Sequence, residues 1–178
     1  MQLEKPPLAD LQQAIRNVPD FPRPGIQFKD VTPVLADPRL FAGAVAWLME
    51  PHAVGSIDAV AGIEARGFLF AAAVALQLGA GVVPVRKAGK LPWKTYEASY
   101  DLEYGSNTLA VHTDAVAPGA RVLLIDDLLA TGGTAQAAAS LLGRLGARVV
   151  EVAFVVELAF LKGRDRLPEY PVRSLLTY

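Results

Sequence analysis

The feature that most constrains the fold is an apolar run at residues 122–125, which leads into two aspartates and a small glycine-rich segment. The run Val-Leu-Leu-Ile is continuous rather than alternating, which is typical of a strand buried on both faces of a parallel sheet. Residues 135–145 have the composition of a helix, and Gly146 is suited to end it. The sequence therefore predicts a strand, a tight turn and a helix, with Asp126 and Asp127 at the carboxyl end of the strand.

The turn between this strand and this helix has the properties of a phosphate site. The first N–H groups of a helix lack intrahelical partners, and together with the helix dipole they attract a dianion. Glycine lets the backbone approach such a ligand closely, and threonine hydroxyls add donors. We expect the whole turn to bind a phosphate: Ala130, Thr131, Gly132, Gly133 and Thr134.

The aspartates indicate which phosphate compound is bound. Carboxylates accept hydrogen bonds and repel phosphate, so Asp126 and Asp127 are expected to face a group rich in hydroxyls. A ribose 5-phosphate fits both the acidic pair and the turn, because its hydroxyls can meet the aspartates while its phosphate lies in the turn. The common nucleotide motifs do not fit, since the chain has no G-x-x-x-x-G-K-[ST] and no third glycine after Gly79 and Gly81. The alternative is an ordinary strand, turn and helix in which the acidic pair occurs by chance.

The composition is that of a single globular domain. The chain has 178 residues, of which 52% are hydrophobic, so one substantial core can form. The net charge is −1 with both signs spread along the chain, which provides no basic face for nucleic acid or an anionic membrane. The absence of cysteine excludes disulfides, thiolate zinc sites and a cysteine nucleophile, and it fits a cytoplasmic protein. No signal peptide is expected, and the most apolar helical segment, residues 68–78, is too short to span a bilayer.

Alternating strand and helix patterns predict an α/β fold. Apolar spacing predicts a helix over residues 8–18, and the prolines in residues 20–30 predict a constrained loop. Asp37 and Pro38 are suited to begin a helix that runs to about Glu50. The remaining predicted elements are strand 57–63, helix 68–78, strand 81–86, strand 122–125, the helix after Thr134 and strand 149–156. This order implies a mostly parallel sheet flanked by helices, with ligands at the carboxyl ends of its strands.

Basic residues follow two of the predicted strands. Arg66 comes after the first strand, and Arg86, Lys87 and Lys90 come at or after the end of the second. Arginine binds phosphate through two parallel hydrogen bonds, whereas lysine acts as a flexible point charge. Each residue alone is more often a solvated surface charge, but their shared position at strand ends favours a ligand with more than one phosphate.

The connection between Lys87 and Thr108 has the length of an active-site lid. Polarity alternates over residues 95–104, and a turn at 105–107 is expected to return the chain as a strand at 108–111. This pattern predicts an exposed hairpin that closes over a reactive sugar and excludes water. Its polar face carries Glu97, Ser99, Asp101 and Glu103, and an exposed carboxylate of this kind is usually only solvated.

Five segments in order resemble the adenine phosphoribosyltransferases, which belong to the type I phosphoribosyltransferases. They are D-F-P-x-P-G-I-x-F-x-D at 20–30, E-A-R-G-F-L-F at 64–70, V-R-K-x-G-K-L-P at 85–92, Y-x-L-E-Y-G at 100–105 and D-D-L-L-A-T-G-G-T at 126–134. The similarity runs from about residue 19 to about residue 162. It implies a single domain over residues 1–178 with the type I phosphoribosyltransferase fold, an N-terminal hood at about 1–35 and a flexible hairpin lid at about 88–110.

The resemblance also implies a reaction, in which adenine and 5-phosphoribosyl 1-diphosphate give AMP and pyrophosphate. It implies that Gln27 and Phe28 bind adenine, with Arg66 near both the base and the pyrophosphate. Further implied roles are pyrophosphate binding by Arg86, Lys87 and Lys90, acid–base catalysis by Glu103, and a place in the lid for Tyr104. The cofactor implied is Mg²⁺, held mainly by the diphosphate and the ribose hydroxyls rather than directly by protein side chains, and the family suggests a homodimer.

The chain departs from the family pattern at two places. Lys29 stands where an arginine is usual, so no specific role is expected for position 29. Three alanines at residues 71–73 replace a stretch that usually contains glycine, which affects helix packing rather than chemistry.

Two alternative functions stay open at this stage. The acidic pair and the phosphate turn do not identify the base, so an enzyme for hypoxanthine, guanine, xanthine or orotate is compatible with them, although the hood and lid segments favour adenine. A non-catalytic sensor of a phosphoribosyl ligand would need a DNA-binding segment or a basic face, and it would leave Glu103 without a role.

Overall fold

The computed structural model describes residues 3–21, 23–102 and 105–178. The strands in this part of the chain are β1 (Arg16–Pro19), β2 (Gln27–Asp30), β3 (Ala59–Ile63), β4 (Gly81–Lys87), β5 (Thr95–Leu102), β6 (Gly105–His112), β7 (Arg121–Leu129), β8 (Arg148–Glu157) and β9 (Val172–Thr177). The helices are α1 (Leu8–Ala14), α2 (Thr32–Ala36), α3 (Pro38–Met49), α4 (Gly67–Leu78) and α5 (Gly133–Arg144). Two 3-10 turns, Ala159–Leu161 and Gly163–Arg166, follow β8.

The central sheet confirms the predicted α/β fold. In the described residues it has the strand order β5-β6-β4-β3-β7-β8-β9. Strands β4, β3, β7, β8 and β9 run parallel to one another, while β6 is antiparallel to both β4 and β5. Continuous apolar runs in β3, β7 and β8 fit this arrangement, because both faces of these strands are covered by other elements.

Helices cover the sheet on both faces. On one side, α3 and α4 contribute buried residues such as Leu48, Phe70 and Val74. On the other side, α5 packs its alanines and Leu141 against β6 and β7. As predicted, Asp37 caps α3, since its Oδ1 accepts hydrogen bonds from the amides of Arg39 and Leu40 at 2.9 Å.

Strand β7 is longer than the predicted strand at 122–125. Its pairing with β3 ends at Ile125, but its pairing with β8 continues to Leu129. Asp126 and Asp127 therefore lie inside the strand, just beyond the last residue that has neighbours on both sides. The apolar run predicted only the part of β7 that pairs with both β3 and β8. The side chains become polar at Asp126, but the backbone of β7 continues to pair with β8.

The N-terminal region differs from the prediction. The helix predicted over 8–18 ends at Ala14, and the segment predicted as a loop contains β2, which pairs with β1 as a separate antiparallel hairpin. Val18 stands opposite Phe28 in this ladder. The prediction was wrong because a pairing between distant residues overrides local helical spacing.

The hairpin of β5 and β6 is built into the edge of the main sheet. Leu109 and Val111 of β6 are buried, and β5 packs on α5. The prediction of an exposed flap is therefore wrong at Leu109 and Val111, while the lid role of about residues 88–110 stays a prediction. The predicted turn at 105–107 is also wrong, since Leu102 pairs with Gly105.

Strand β9 was not predicted. Among the described residues, we find no helix that is both long and apolar enough to cross a membrane.

Candidate active site

The acidic pair faces the start of α4. Arg66, the residue before this helix, donates a hydrogen bond from Nε to Oδ2 of Asp127 at 2.5 Å, and the Asp127 side chain is buried. Oδ1 of Asp126 accepts a hydrogen bond from the Asp127 amide at 2.9 Å. Gly67 permits this close approach, because a Cβ at that position would lie 2.8 Å from Oδ1 of Asp126. Two carboxyl groups and one guanidinium are thus held together at the carboxyl edge of the sheet.

The two carboxyl groups differ in their electrostatic surroundings. Desolvation raises the pKa of Asp126 well above its ordinary value, and the neighbouring Asp127 raises it further. Arg66 opposes this shift but does not cancel it. With its pKa raised, Asp126 could both donate a hydrogen bond to a sugar hydroxyl and accept one from it.

The predicted phosphate turn leads into α5. Gly132 has a φ of 83°, a left-handed conformation that favours glycine. The helix begins at Gly133, and no described side chain caps it. Helix N–H groups of this kind can bind an anion, and the phosphate role of the turn stays a prediction.

A second glycine supports this turn from the segment after β8. A Cβ on Gly163 would lie 2.3 Å from the carbonyl oxygen of Ala130, and a Cβ on Gly132 would lie 2.2 Å from the carbonyl oxygen of Gly163. Two backbone segments are therefore in direct contact beneath the turn. Gly163 was not among the predicted site residues, because nothing local distinguishes it from an ordinary turn glycine.

One cavity of about 690 Å³ extends from the hairpin of β1 and β2 to the phosphate turn. Gln27 and Phe28 line one end, and Ala130 and Thr131 line the other. Its remaining lining residues, mostly apolar, are Gly25, Ile26, Lys29, Leu128, Leu158, Phe160, Leu161 and Tyr178. The size is that of a small-molecule site. The structure thus brings Gln27 and Phe28 and the first two residues of the predicted phosphate turn around one space.

Phe28 is held between two neighbours. The ring of Phe21 meets it edge to face, with 5.2 Å between centroids and an interplanar angle of 74°. The guanidinium carbon of Arg66 lies 5.5 Å from the Phe28 centroid. Arg66 therefore contacts both the aromatic residue at the base end of the cavity and the acidic pair.

The basic residues after β4 form a second group around Glu64. Arg86 donates to both carboxylate oxygens of Glu64 at 3.3 and 3.4 Å, and to the carbonyl oxygen of Lys90 at 2.9 Å. The amide of Lys87 donates to Glu64 at 3.0 Å. This amide, followed by Arg86, lowers the pKa of Glu64. The peptide bond between Glu64 and Ala65 is cis.

Arg86 thus shapes the loop after β4 through Glu64, a residue to which sequence reasoning gave no separate role. The side chains of Lys87 and Lys90 are exposed. The pyrophosphate roles of Arg86, Lys87 and Lys90 stay predictions. Glu103 and Tyr104 lie outside the described residues, so their roles stay predictions as well.

Comparison with known proteins identifies the family. Residues 31–176 match the family model described as a phosphoribosyl transferase domain. The adenine phosphoribosyltransferase of Roseiflexus sp. (strain RS-1) is 55% identical over 171 residues, which cover 96% of this chain and 98% of that protein. The chain belongs to the adenine phosphoribosyltransferase family.

Solved structures of family members share the fold. The crystal structure of adenine phosphoribosyltransferase from Rhodothermus marinus has a TM-score of 0.91 and 53% identity, covering 96% of this chain and 98% of that one. The enzyme from Saccharomyces cerevisiae, complexed with an imino-altritol bisphosphate and adenine, has a TM-score of 0.88 and 43% identity, covering 94% and 97%. The whole described sheet, including the unpredicted β9, therefore belongs to the family's type I phosphoribosyltransferase fold.

Proposed function

We propose that the protein transfers the 5-phosphoribosyl group of 5-phosphoribosyl 1-diphosphate to adenine, giving AMP and pyrophosphate in purine salvage. The observation that carries this proposal is the single cavity that joins Phe28 to the phosphate turn. Bases and sugar phosphates need different surroundings, and here the ring of Phe28 and the turn residues Ala130 and Thr131, which precede α5, line the same space. The name and bound adenine of the yeast relative support adenine as the base.

The substrate binds along the cavity in a fixed order. The 5-phosphate accepts hydrogen bonds from the turn of residues 130–134, and the ribose hydroxyls meet Asp126 and Asp127. Adenine lies against Phe28, beside the backbone of Gln27. Holding both reactants in one orientation supplies much of the rate enhancement, because little entropy is left to lose at the transition state.

The transfer breaks the bond between ribose C1 and the diphosphate oxygen and forms a bond between C1 and adenine N9. C1 gains positive character as pyrophosphate leaves, and N9 attacks from the opposite face. The leaving group is stabilised by Arg66 and by the basic residues Arg86, Lys87 and Lys90. Glu103 accepts the proton that N9 loses.

Mg²⁺ is the cofactor proposed for this reaction, and it would bind together with the diphosphate. Within the part of the chain that the structure describes, no three His, Asp or Glu side chains are grouped so that they could hold a metal ion. Asp126 and Asp127 offer oxygen ligands of the kind Mg²⁺ prefers, but Asp127 is already bonded to Arg66. We propose that diphosphate and ribose oxygens would hold the ion, which would neutralise charge on the leaving group.

We further propose a cytoplasmic location, the hood and lid at about residues 1–35 and 88–110, and a homodimer without nucleic-acid or membrane partners. The absence of cysteine supports the location. An apolar face of α4, where Leu69 is 49% and Leu76 is 79% exposed, supports an interface with a second copy. Light scattering tests the proposed homodimer. Leu76→Glu is expected to shift the protein toward the monomer. Val54→Glu, at a similarly exposed site outside α4, is expected to leave the molecular mass unchanged.

Incubating the protein with 5-phosphoribosyl 1-diphosphate, Mg²⁺ and one base at a time tests the activity. We expect nucleotide and pyrophosphate to form with adenine in equal amounts. Turnover that is faster with hypoxanthine, guanine, xanthine or orotate would reassign the base. No nucleotide from any base would favour a non-catalytic sensor.

A further inference from the structure

Tyr178, which follows β9, forms part of the wall of the substrate cavity. Its amide donates to the carbonyl oxygen of Glu157, and its carbonyl oxygen accepts from the amide of Ala159, both at 2.9 Å. The backbone of Tyr178 is therefore tied to the end of β8 and to the turn after it. This fixes the ring relative to the main sheet.

The Tyr178 ring contacts the hairpin of β1 and β2 through Lys29. Nζ of Lys29 lies 3.8 Å from the ring centroid, which is a cation–π contact. The same Nζ donates to Oδ1 of Asn17 at 2.6 Å, and Asn17 is the partner of Lys29 in the hairpin ladder. Lys29 thus connects both strands of the hairpin to an aromatic ring anchored on the main sheet.

A second bond links Tyr178 to the N-terminal region. Its hydroxyl donates to the carbonyl oxygen of Gln12 at 3.4 Å. Burial raises the pKa of the Tyr178 phenol, so this hydroxyl keeps its proton at neutral pH. The ring is therefore held at its edge as well as through its backbone.

The hairpin depends on contacts of this kind for its position. It is a two-stranded sheet, separate from the main sheet, and an isolated two-stranded hairpin is marginally stable in water. Lys29 directly follows Gln27 and Phe28 in β2. Any shift of the Lys29 backbone therefore moves the residues at the base end of the cavity.

We propose that Lys29 and Tyr178 are a positioning pair that holds the hairpin over the base end of the cavity and thereby sets the affinity for the base. This inference rests on the proposed function. The contacts of the pair join the hairpin, Gln12 and the end of β8, and both side chains line the cavity beside Gln27 and Phe28, so we expect the pair to act on base binding rather than on turnover. It assigns a role to the lysine that replaces the usual arginine of the family.

Steady-state kinetics of Tyr178→Ala and Lys29→Met test the pair. A cation–π contact of ordinary strength corresponds to a roughly threefold to tenfold rise in KM for adenine. KM for 5-phosphoribosyl 1-diphosphate and kcat are expected to stay within about twofold of the parent values. Tyr178→Phe keeps the ring and restores the parent KM for adenine. The KM for adenine of the double variant is expected to be no higher than the higher of the two single-variant values, because both substitutions remove the same contact.

Binding measurements provide a readout that needs no turnover. AMP and ribose 5-phosphate differ at C1, which carries adenine in AMP and a hydroxyl in ribose 5-phosphate. Calorimetry is therefore expected to show weaker AMP binding and unchanged ribose 5-phosphate binding in both variants. Tyr170→Ala is the matched control, since Tyr170 packs against the opposite core cluster and its loss is expected to leave both affinities unchanged.

Unchanged AMP affinity in both variants, or equal losses for AMP and ribose 5-phosphate, would overturn the proposal. If Tyr178→Ala does not fold, Lys29→Met decides the question, because it removes the contacts that Nζ makes with Tyr178 and Asn17 but keeps an unbranched side chain. A parent protein that forms no AMP from adenine would contradict the proposed function instead, while its AMP and ribose 5-phosphate affinities would still test the pair.

Discussion

Nε of Arg66 donates to Oδ2 of the buried Asp127 at 2.5 Å while its guanidinium lies 5.5 Å from the Phe28 ring centroid. One side chain therefore joins the residues proposed to hold the ribose to the residue proposed to stack on the base. Both ends of the site depend on where this guanidinium lies.

Substitution of Arg66 is expected to weaken both the fold and the site. Arg66→Gln leaves a buried carboxylate without its cation, and we expect the free energy of unfolding to fall by about 1–2 kcal/mol. This figure is below that for a fully buried pair, because the Arg66 side chain is 40% exposed. Urea denaturation measures the loss, and kcat/KM is expected to fall with it. The exposed Arg166 serves as the control, and an Arg66→Gln protein as stable and active as the Arg166→Gln protein would contradict this role.

The contact between Gly163 and the phosphate turn predicts a specific binding defect. A Cβ on Gly163 collides with the Ala130 carbonyl, so Gly163→Ala must displace the turn. We expect KM for 5-phosphoribosyl 1-diphosphate to rise about tenfold or more, a cost typical of a misplaced binding group.

The matched control for this defect is Gly143→Ala. A Cβ there meets nothing within 4 Å, and the position lies in α5. This variant is expected to keep its KM and to gain roughly 0.5–1 kcal/mol of stability, because alanine favours the helix. Equal KM values for the two variants would mean that Gly163 does not support the turn.

Glu151 is expected to make stability depend on pH. Burial alone would raise the pKa of this carboxyl, but hydrogen bonds from Arg173 and His52 outweigh it and lower the pKa. Arg173 also donates to the carbonyl oxygens of Trp47 and Leu48, so this cluster ties α3 to β8 and β9. A carboxyl with a lowered folded pKa stabilises the protein above its unfolded pKa, and this contribution is lost as pH falls through the folded value.

The measurement is urea denaturation of parent and Glu151→Gln proteins at several pH values. At pH 7 the variant is expected to be less stable by about 2–3 kcal/mol, since a buried ion pair loses one partner. The difference is expected to shrink below about pH 4.5, where the carboxylate becomes protonated in the unfolded chain and then in the folded protein. A difference that stays constant down to pH 3 would contradict the ionised cluster.

Glu103 is the residue whose substitution tests the proposed acid–base step. Glu103→Gln keeps the size of the side chain but removes the base, and we expect turnover to fall by about 10²-fold. Glu97→Gln, in β5, is the control and is expected to keep its turnover. An unchanged rate in Glu103→Gln would remove this residue from the mechanism.

Local patterns in the sequence predicted the centre of the fold and the phosphate turn. The continuous apolar run of β7 and the glycine-rich start of α5 are adjacent in the chain, so their relationship is visible without the structure. The acidic pair was placed at the correct edge of the sheet for the same reason, although β7 continues past it.

The features that sequence reasoning missed depend on residues far apart in the chain. The β1–β2 hairpin, the contact of Gly163 with Ala130, and the contact of Lys29 with Tyr178 join segments without any shared periodicity. Arg86 was predicted as a ligand from its position at a strand end, and its hydrogen bonds to Glu64 could not be inferred from charge type alone. The base site is built largely from such distant contacts, which is why resemblance rather than pattern indicated adenine.

The central claim is that one cavity holds both adenine and the phosphoribosyl group for transfer between them. The most direct measurement is the competition between adenine and hypoxanthine for limiting 5-phosphoribosyl 1-diphosphate, with both nucleotides and pyrophosphate quantified. We expect AMP to form with one pyrophosphate per nucleotide. The yield of AMP is expected to exceed that of IMP by about 10²-fold or more, since a site that pairs the polar groups of one base strongly rejects another base of similar shape. Equal yields of the two nucleotides, or pyrophosphate released without AMP, would contradict it.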